Sequence, residues 1–358
     1  MAKLTTHERV TRMFEHRDAD CVPVTDWIWE STYERWRSEG LPTDVDLFAY
    51  LDLDRIIWLS NEMLDTSPRF EKIVIEETDS YRIERNEWGV TVKNFKPVST
   101  TPQDLDFEIK DPDSWRRAKE RMAPTPDRID WSRLEQHYRS WREQGAWIVM
   151  APWFGFDIVN SRMCGTERTM LALAEEPEWC VDMFNTQLDL AIALMDMMWD
   201  AGYTFDQLLW FDDMAYRNGL FFSPRMYREL IKPYQQRAID WAHAKGIKIE
   251  LHCCGNITAL LPELIEMGID ALHPLEVKAG MDPIAVKKTY GRRLLLHGGF
   301  DVRRWSNPEE YEDDIRRVLP VVMENGGYIF SSDHSVADTV SLENYRRIVQ
   351  LVREVGRY

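Results

Sequence analysis

Apolar and polar residues alternate in blocks along most of this chain, and the blocks predict strands separated by helices. Short apolar runs predict eight strands, at residues 21–25, 55–59, 147–150, 207–211, 248–251, 270–272, 294–296 and 328–330. Helical spacing of apolar residues predicts helices at residues 5 to 16–18, 30–38, 45–50, 113–122, 131–144, 177–201, 224–245, 258–267, 308–324 and 342–355. Strands that alternate with helices pair in parallel.

Eight strand–helix units are the number that closes a TIM barrel, which needs about 250 residues before insertions. We therefore predict an α/β fold, a (β/α)8 TIM barrel that forms a single domain over residues 1–358. A doubly wound open sheet is the alternative, but it would need a glycine-rich turn after the first strand. The residues there, 25–29, read Thr-Asp-Trp-Ile-Trp and contain no glycine.

Between the second and third predicted strands the pattern changes. Within residues 70–95 an alternating pattern occurs at 72–76 and 81–85, the chain turns at residues 86–89, and the pattern resumes at 90–92, which predicts a small antiparallel β-ribbon. Two of the predicted helices, 113–122 and 131–144, follow it. We expect this block, residues 62–145, to be a subdomain inserted between strands 2 and 3 of the barrel.

Composition sets the class of protein. The chain has 358 residues, 44% of them hydrophobic, and a net charge of −17, so it can bury a large core and would repel nucleic acid or an anionic membrane. Its five cysteines have no disulfide-framework spacing, residues 1–15 contain no apolar leader, and no run of 18 apolar residues occurs. We expect a cytoplasmic protein with no nucleic-acid and no membrane partner.

The strand at residues 248–251 runs into the clearest candidate chemistry, His252 and Cys254. Successive side chains of an extended chain point to opposite faces, so these two, spaced by two, project the same way. Imidazole and thiolate together suit zinc better than magnesium or calcium. A catalytic zinc site needs one more protein ligand and an open position. A packed strand end without metal is the structural alternative.

All strand ends of such a barrel meet at one mouth, so the third ligand should follow another strand. Four of the eight histidines lie at predicted strand ends: His252, His273, His297 and His334. We predict His334 as the third zinc ligand, with Asp333 and Glu276 as alternatives, because one thiolate and two imidazoles suit a catalytic zinc.

Other side chains at these ends predict the rest of the site. Asp212 and Asp213 follow an apolar strand, where carboxylates act as general acids or bases, orient a histidine, or simply cap a helix. Aromatic residues at three neighbouring ends would wall a pocket for a planar, largely neutral substrate. The residues predicted to bind substrate are Trp27, Trp29, Trp153, Phe154, Phe156 and Asp212.

Several short motifs together resemble the uroporphyrinogen decarboxylase superfamily. They are Ala-Pro-Trp at 151–153, Phe-Asp-Asp at 211–213, Phe-Ser-Pro at 222–224, Lys-Pro-Tyr at 232–234, His-Cys-Cys-Gly at 252–255 and Gly-Gly-Phe-Asp at 298–301. The resemblance covers nearly the whole chain except the ribbon block. It implies either a porphyrinogen decarboxylase or a zinc-dependent methyltransferase that exchanges a methyl group with a corrinoid protein.

The chain departs from the decarboxylase pattern of this superfamily at three places. The resemblance calls for an arginine-rich loop after the first strand, an aspartate after the second and a tyrosine shortly after the third. This chain has residues 26–30 without arginine, Ser60 and Asn61, and Ile158 at those positions. A substrate with several carboxylates would meet no arginine fork there.

The methyltransferase branch ligates zinc through a His-x-Cys pair and a cysteine after the last strand, so the resemblance implies His252 and Cys254, with His334 in place of the final cysteine. We therefore expect O-demethylation of a methoxylated aromatic, with the methyl group passing to the Co(I) of a separate corrinoid protein. Zinc would polarise the ether oxygen, and Asp213 or His273 would supply the catalytic proton. The expected partners are a small-molecule methyl donor and the corrinoid protein, which brings the cobalamin; a homodimer is left open.

Three other functions stay open. They are a thiol- or amine-specific corrinoid methyltransferase on the same scaffold, a cofactor-free decarboxylase of the uroporphyrinogen decarboxylase type, and a non-catalytic binding barrel. Zinc content and the identity of the methyl donor would separate them.

Overall fold

The computed structural model describes residues 3–96 and 102–358, so residues 97–101 of the predicted insertion lie outside the described residues. In chain order the strands are β1 Ile56–Leu59, β2 Ile73–Glu77, β3 Tyr81–Arg85, β4 Val90–Phe95, β5 Gln103–Phe107, β6 Trp147–Met150, β7 Gln207–Phe211, β8 Ala215–Tyr216, β9 Gly219–Leu220, β10 Lys248–His252, β11 Ala271–His273, β12 Leu295–His297 and β13 Tyr328–Ile329.

The helices occupy most of the segments between these strands. They are α1 Thr6–Phe14, α2 Glu30–Ser38, α3 Leu47–Tyr50, α4 Pro112–Lys119, α5 Trp131–Glu143, α6 Phe156–Ile158, α7 Thr166–Glu175, α8 Pro177–Asp200, α9 Pro224–Met226, α10 Lys232–Ala244, α11 Leu261–Met267, α12 Pro283–Tyr290, α13 Pro308–Val322 and α14 Leu342–Val355. Of these, α6, α7 and α12 were not predicted from the sequence. The predicted helix 224–245 is α9 and α10 joined by a π-helical stretch, Tyr227–Ile231.

Seven strands form one curled parallel sheet in the order β1-β6-β7-β10-β11-β12-β13. This confirms the predicted α/β class and the parallel pairing. Each strand follows its neighbour through at least one helix, and the segment between β1 and β6 contains β2 to β5 as well as helices α4 and α5. The carboxyl ends of all seven strands therefore face the same edge of the sheet.

The predicted first strand, 21–25, is reduced to an isolated parallel bridge between Val24 and Phe330. Phe330 N–H donates to the Pro23 carbonyl at 2.9 Å, and Asp54 N–H donates to the Val24 carbonyl at 2.9 Å, so this segment connects β13 with the chain just before β1. A regular ladder does not form, because Pro23 has no N–H and the Val24 N–H donates to the Asp54 carboxylate at 2.8 Å.

The interior of the curled sheet is apolar at its amino end. Alternate strand residues point inward, and one buried cluster contains Ile56, Val149, Leu209, Ala271, Leu295 and Ile329. Val10, Met13 and Phe14 of α1 belong to the same cluster, so α1 closes this end. Helix α1 begins with a capping box in which Thr5 and Glu8 satisfy each other's backbone N–H groups. The opposite, carboxyl end of the interior is left for polar side chains.

Strands β2 to β5 form a separate antiparallel sheet in sequence order, where the ribbon was predicted. Its outer strand β2 is exposed at all five residues, whereas Val90 and Val92 of β4 are buried in the main apolar cluster. That residues 62–145 are an insertion into one domain stays a prediction. Among residues 3–96 and 102–358, no helix combines the length and apolarity needed to cross a membrane.

A buried ionic network anchors α1 to the sheet, and we expect Asp54→Ala to break it. Asp54 is 1% exposed and accepts from Arg9, from Arg353 at 3.0 Å and from the Val24 N–H. Arg9 would keep Asp20 and Arg353 would keep Asp52, but both would lose their fully buried carboxylate partner, and removal of one partner of a buried ion pair typically costs about 3–5 kcal/mol. Urea unfolding followed by far-UV circular dichroism measures the loss.

Glu143→Ala is the matched control, because Glu143 pairs with Arg139 on an exposed helix face. Exposed pairs contribute little to stability, so this variant should unfold at nearly the wild-type midpoint. Equal midpoints for Asp54→Ala and Glu143→Ala would contradict the anchoring role of the network.

Candidate active site

The last residues of three neighbouring strands place three histidines side by side. His252 ends β10 and is paired in register with His273 at the end of β11, and His297 ends β12. The ring centroids of His252 and His273 lie 4.8 Å apart, and those of His273 and His297 lie 4.6 Å apart. By strand alternation all three side chains point into the sheet interior, as do the strand residues of the apolar cluster. The three histidines therefore lie above that cluster, at the carboxyl end of the sheet.

Beside His252, three potential metal ligands converge. One ligand atom each from Asp213, His252 and Cys254 lies within 4.8 Å of the other two. His252 Nε2 is 3.4 Å from Cys254 Sγ and 3.8 Å from Asp213 Oδ1. A tetrahedral zinc with ordinary bond lengths holds a nitrogen and a sulfur about 3.6 Å apart, so the observed pair fits that ion. The donor set of one thiolate, one imidazole and one carboxylate also suits zinc.

Neighbouring groups fix the orientation of these ligands. His252 Nδ1 lies 2.7 Å from His273 Nδ1, which leaves Nε2 of His252 free for a cation. If Nε2 of His252 carries the lone pair, its Nδ1 donates to His273, and the proton of His273 is then on Nε2. The Cys254 N–H donates to Asp213 Oδ1 at 2.7 Å, which ties the two ligand-bearing loops together.

The loop after β10 turns sharply at Gly255, which has φ of 84°. A Cβ atom there would lie 2.6 Å from the Ala215 carbonyl carbon, so only glycine fits against the loop after β7. The Gly255 N–H donates to Glu276 Oε2 at 2.5 Å. This close approach brings Cys254 towards Asp213.

Burial sets the charges of the metal-ligand group. Desolvation, with the Asp213 charge next, raises the pKa of the Cys254 thiol well above its usual value. Desolvation lowers the pKa of His252, and with the neighbouring imidazoles it lowers that of His273 far below the ordinary value. Both rings are therefore neutral at physiological pH, as a metal ligand and its supporting hydrogen-bond partner must be. A bound cation would supply the positive charge that stabilises the thiolate form of Cys254.

These ligands open into a cavity of about 250 Å³. One side is apolar and aromatic, formed by Trp27, Trp58, Leu209 and Phe211, and Trp27 and Trp58 meet edge to face at 6.0 Å. The cavity lining includes no lysine or arginine. Its other residues are polar: Thr25, Asp26, Asp213, His252, Cys254, His273, His297, Ser331, Ser332, His334 and Ser335. The cavity thus suits a planar, uncharged ligand.

His334, the predicted third ligand, lines this cavity but is not part of the 4.8 Å group. Its ring lies 6.1 Å from that of Trp29, edge to face, and burial lowers its pKa. Of the alternatives, Asp333 is fully buried and accepts from the Val277 and Val302 N–H groups at 3.0 and 3.1 Å. Both alternatives, Asp333 and Glu276, are thus occupied with backbone N–H groups.

The other residues predicted to bind substrate divide into two groups. Trp27 lines the cavity and Trp29 packs against His334, whereas Asp212, Trp153, Phe154 and Phe156 are not among the lining residues. Asp212 is fully buried and accepts from Tyr234 and, at 2.7 Å, from Gln235; desolvation raises its pKa to about 6.

The three aromatic residues that follow β6 pack away from the cavity. Trp153 packs on Trp88 at 5.8 Å, Phe154 on Trp210 at 5.8 Å and Phe156 on Phe222 at 5.1 Å.

Several cavity residues were not among the predicted site residues: Asp26, Leu209, Phe211, His297, Ser331 and Ser332. For some of them a signal existed. Phe211 and His297 share the parity and the strand-end position of His252 and His273, so the same alternation argument would have found them. Asp26 has a pKa raised to about 6 by burial, which no sequence pattern reveals.

Comparison with known families and proteins gives matches of three kinds. The family model described as "Uroporphyrinogen decarboxylase (URO-D)" matches residues 148–355, more than half of the chain. Curated uroporphyrinogen decarboxylases from Helicobacter pylori and Thermus thermophilus are 27% and 28% identical over 136 and 141 residues. These matches cover 38% and 37% of this chain, and the chain spans only 37% and 38% of the length of the two relatives.

Among solved structures, a methyltransferase from Methanosarcina mazei superposes with a TM-score of 0.66 and 17% sequence identity. The superposition covers 98% of this chain and 99% of that chain. At this identity the likeness establishes the fold, which is TIM-barrel-like, and nothing finer.

We expect the purified protein to bind one zinc ion per chain, and His252→Ala and Cys254→Ala to weaken binding more than His273→Ala does. Loss of an outer hydrogen-bond partner typically costs about 10–100-fold in affinity, and loss of a ligand costs more. Equilibrium dialysis followed by elemental analysis measures the affinity. Asp213→Asn and His334→Ala, measured together, identify the third ligand.

His243→Ala is the control, because His243 is an exposed histidine paired with Asp270 far from the cavity. It should keep the wild-type affinity. Undiminished zinc in both His252→Ala and Cys254→Ala would show that the ion is bound elsewhere.

Proposed function

We propose that this chain, which belongs to the uroporphyrinogen decarboxylase family, is a zinc-dependent methyltransferase that passes the methyl group of a methoxylated aromatic to the cobalt of a separate corrinoid protein. One observation carries the proposal: the convergence of Asp213, His252 and Cys254 at the rim of an aromatic-walled cavity. The named activity of the solved neighbour, a methyltransferase, is in keeping with it.

The composition of the cavity argues against porphyrinogen decarboxylation. A substrate that carries several carboxylates needs cationic side chains around it, and Arg and Lys are missing from the cavity lining, whose residues are all within the described part of the chain. The acidic residues of the lining, Asp26 and Asp213, cannot replace those cations. The curated decarboxylases match over little more than a third of their length, so their activity does not transfer to this chain.

His252 and Cys254 would hold the zinc ion, with His334 as the predicted third ligand and Asp213 already within the same group. When bound, the ion would act as a Lewis acid on the ether oxygen of the methoxy group and lower the cost of releasing a phenolate. A site with one sulfur and more than one nitrogen or oxygen ligand is a better Lewis acid towards oxygen than a sulfur-rich one.

Side chains of this protein would bind the substrate ring and stabilise the departing oxygen. Trp27 and Trp58 would hold the aromatic ring of the substrate, because their faces form the apolar wall. His273, whose Nδ1 accepts from His252, would present its Nε2–H to the departing oxygen. Asp213 is the alternative proton donor. We propose that a separate partner protein carries the cobalamin, as the resemblance to the corrinoid-dependent methyltransferases implies, and that the pair is cytoplasmic.

The first test is spectroscopic. Mixed with a corrinoid protein in its Co(I) state, the zinc-loaded chain should convert the Co(I) absorption spectrum to that of methyl-Co(III) when 2-methoxyphenol is added. Thiols or methylamines that produce the same change while methoxyaromatics do not would favour the thiol- or amine-specific alternative. Carbon dioxide release without any cobalt change would favour a decarboxylase.

His273→Ala should lower the rate of methyl transfer by about 10²–10³-fold, the range that one positioned hydrogen-bond donor to a developing oxyanion contributes. We expect the effect on kcat rather than on KM, because His273 acts on the departing oxygen. Stopped-flow absorbance at saturating substrate measures it. His137→Ala, which removes a histidine of α5 stacked on Trp141, is the matched control and should leave kcat unchanged. A kcat equal to that of the control would remove His273 from the reaction.

A further inference from the structure

One of the three histidines at the strand ends, His297, has a ring nitrogen without a hydrogen-bond partner among the described residues. His297 is 3% exposed, and its Nδ1 lies 2.7 Å from Glu250 Oε1. Its Nε2 is buried and has no hydrogen-bond partner among the described residues. A buried polar atom without a partner is costly, so its presence in the wall of a cavity needs a reason.

The hydrogen-bonding state of His297 follows from Glu250. Both oxygens of this carboxylate are acceptors, one towards His297 and the other towards the amide of Gln207. His297 Nδ1 must therefore carry a proton, and Nε2 of the neutral ring is a lone-pair acceptor. A ligand atom that satisfies this nitrogen must be a donor.

A second acceptor lies in the same part of the cavity. Asp26 lines it, and its carboxylate is held by the Ser332 N–H at 2.8 Å, the Ser332 hydroxyl at 2.7 Å and the Tyr345 hydroxyl at 2.9 Å. These contacts still leave lone pairs free, because a carboxylate can accept about four hydrogen bonds. Burial raises the pKa of Asp26 to about 6, although the hydrogen bonds from Ser332 and Tyr345 lower it, so the carboxyl group is an ionised acceptor at pH 8.

Two acceptors therefore face one end of a cavity that has no cationic lining residue. An ether oxygen placed there would oppose their lone pairs, and a carboxylate would add repulsion. A hydroxyl group would donate to one of them and relieve the unsatisfied nitrogen.

We propose that Asp26 and His297 form a hydroxyl-recognition subsite, so that the substrate is a methoxyphenol rather than a fully methylated or carboxylated aromatic. That the ligand of this subsite is the methyl donor rests on the proposed function, whereas the subsite itself is defined by binding alone. Its ligand class is a neutral aromatic with one free phenolic hydroxyl.

The test is a binding comparison at pH 8 with the zinc-loaded protein and no corrinoid partner. Isothermal titration calorimetry with 2-methoxyphenol, 1,2-dimethoxybenzene and 3-methoxybenzoate gives three affinities. The first ligand should bind at least about 10-fold more tightly than the other two, because a site built for a hydroxyl rejects analogues that lack it. Equal affinities for 2-methoxyphenol and 1,2-dimethoxybenzene would overturn the subsite.

Two variants locate the preference. Asp26→Asn and His297→Phe should each reduce the preference for 2-methoxyphenol over 1,2-dimethoxybenzene to within about 3-fold, mainly by weakening the phenol. Unchanged preference in both would show that the discrimination arises elsewhere and would overturn the assignment. His297→Phe leaves Glu250 with one partner fewer; if that variant does not fold, the wild-type series and Asp26→Asn decide.

A third variant separates this inference from the proposed function. Cys254→Ala should lose zinc and methyl transfer yet keep the ligand preference, because Asp26 and His297 are untouched. A wild-type protein that prefers the phenol but never methylates a corrinoid would contradict the methyltransferase assignment and leave the subsite standing. Methyl transfer without any preference for the phenol would support the methyltransferase assignment and overturn the subsite.

Discussion

The register among the strands that end at Phe211, His252 and His273 decides where the candidate site residues lie. His252 pairs with Phe211 on one side and with His273 on the other, so three side chains of equal parity meet at one level of the sheet interior. A slip of one residue would turn His252 and Cys254 outward into the helical layer. Ile249 and Leu251 oppose that slip, because it would turn these two buried apolar side chains out of the main apolar cluster and into the sheet interior.

Two residues before His252 on β10, the interior holds a carboxyl group instead of another aliphatic side chain. Glu250 is 1% exposed and is compensated by Gln207 and His297, and Gln207 also accepts from the indole N–H of Trp147 at 2.7 Å. A buried carboxylate is tolerated only when its oxygens are satisfied, so these partners are fixed in place. The fixed tautomer of His297 follows from that requirement, and with it the acceptor character of this end of the cavity.

The sequence alone predicted those features that depend on side-chain alternation along a strand and on the order of the strands. The parallel order, the shared direction of His252 and Cys254 and the row of strand-end histidines all follow from a period of two. Loop positions do not follow from it. After β6 the chain reverses at Gly155, with φ of 101°, and Phe154 and Phe156 pack into the helical layer, so residue type and proximity to a strand end gave no guide to their direction. The place of His334 relative to Cys254 depends likewise on the loop after β13.

X-ray absorption at the zinc K-edge of the metal-loaded protein tests the central claim most directly, because it counts the sulfur atoms bound to the ion. The account predicts a single sulfur at about 2.3 Å with the remaining ligands nitrogen or oxygen at about 2.0–2.2 Å. Two or more sulfurs, or a shell made of oxygen alone, would contradict the convergence of His252 and Cys254 on one ion.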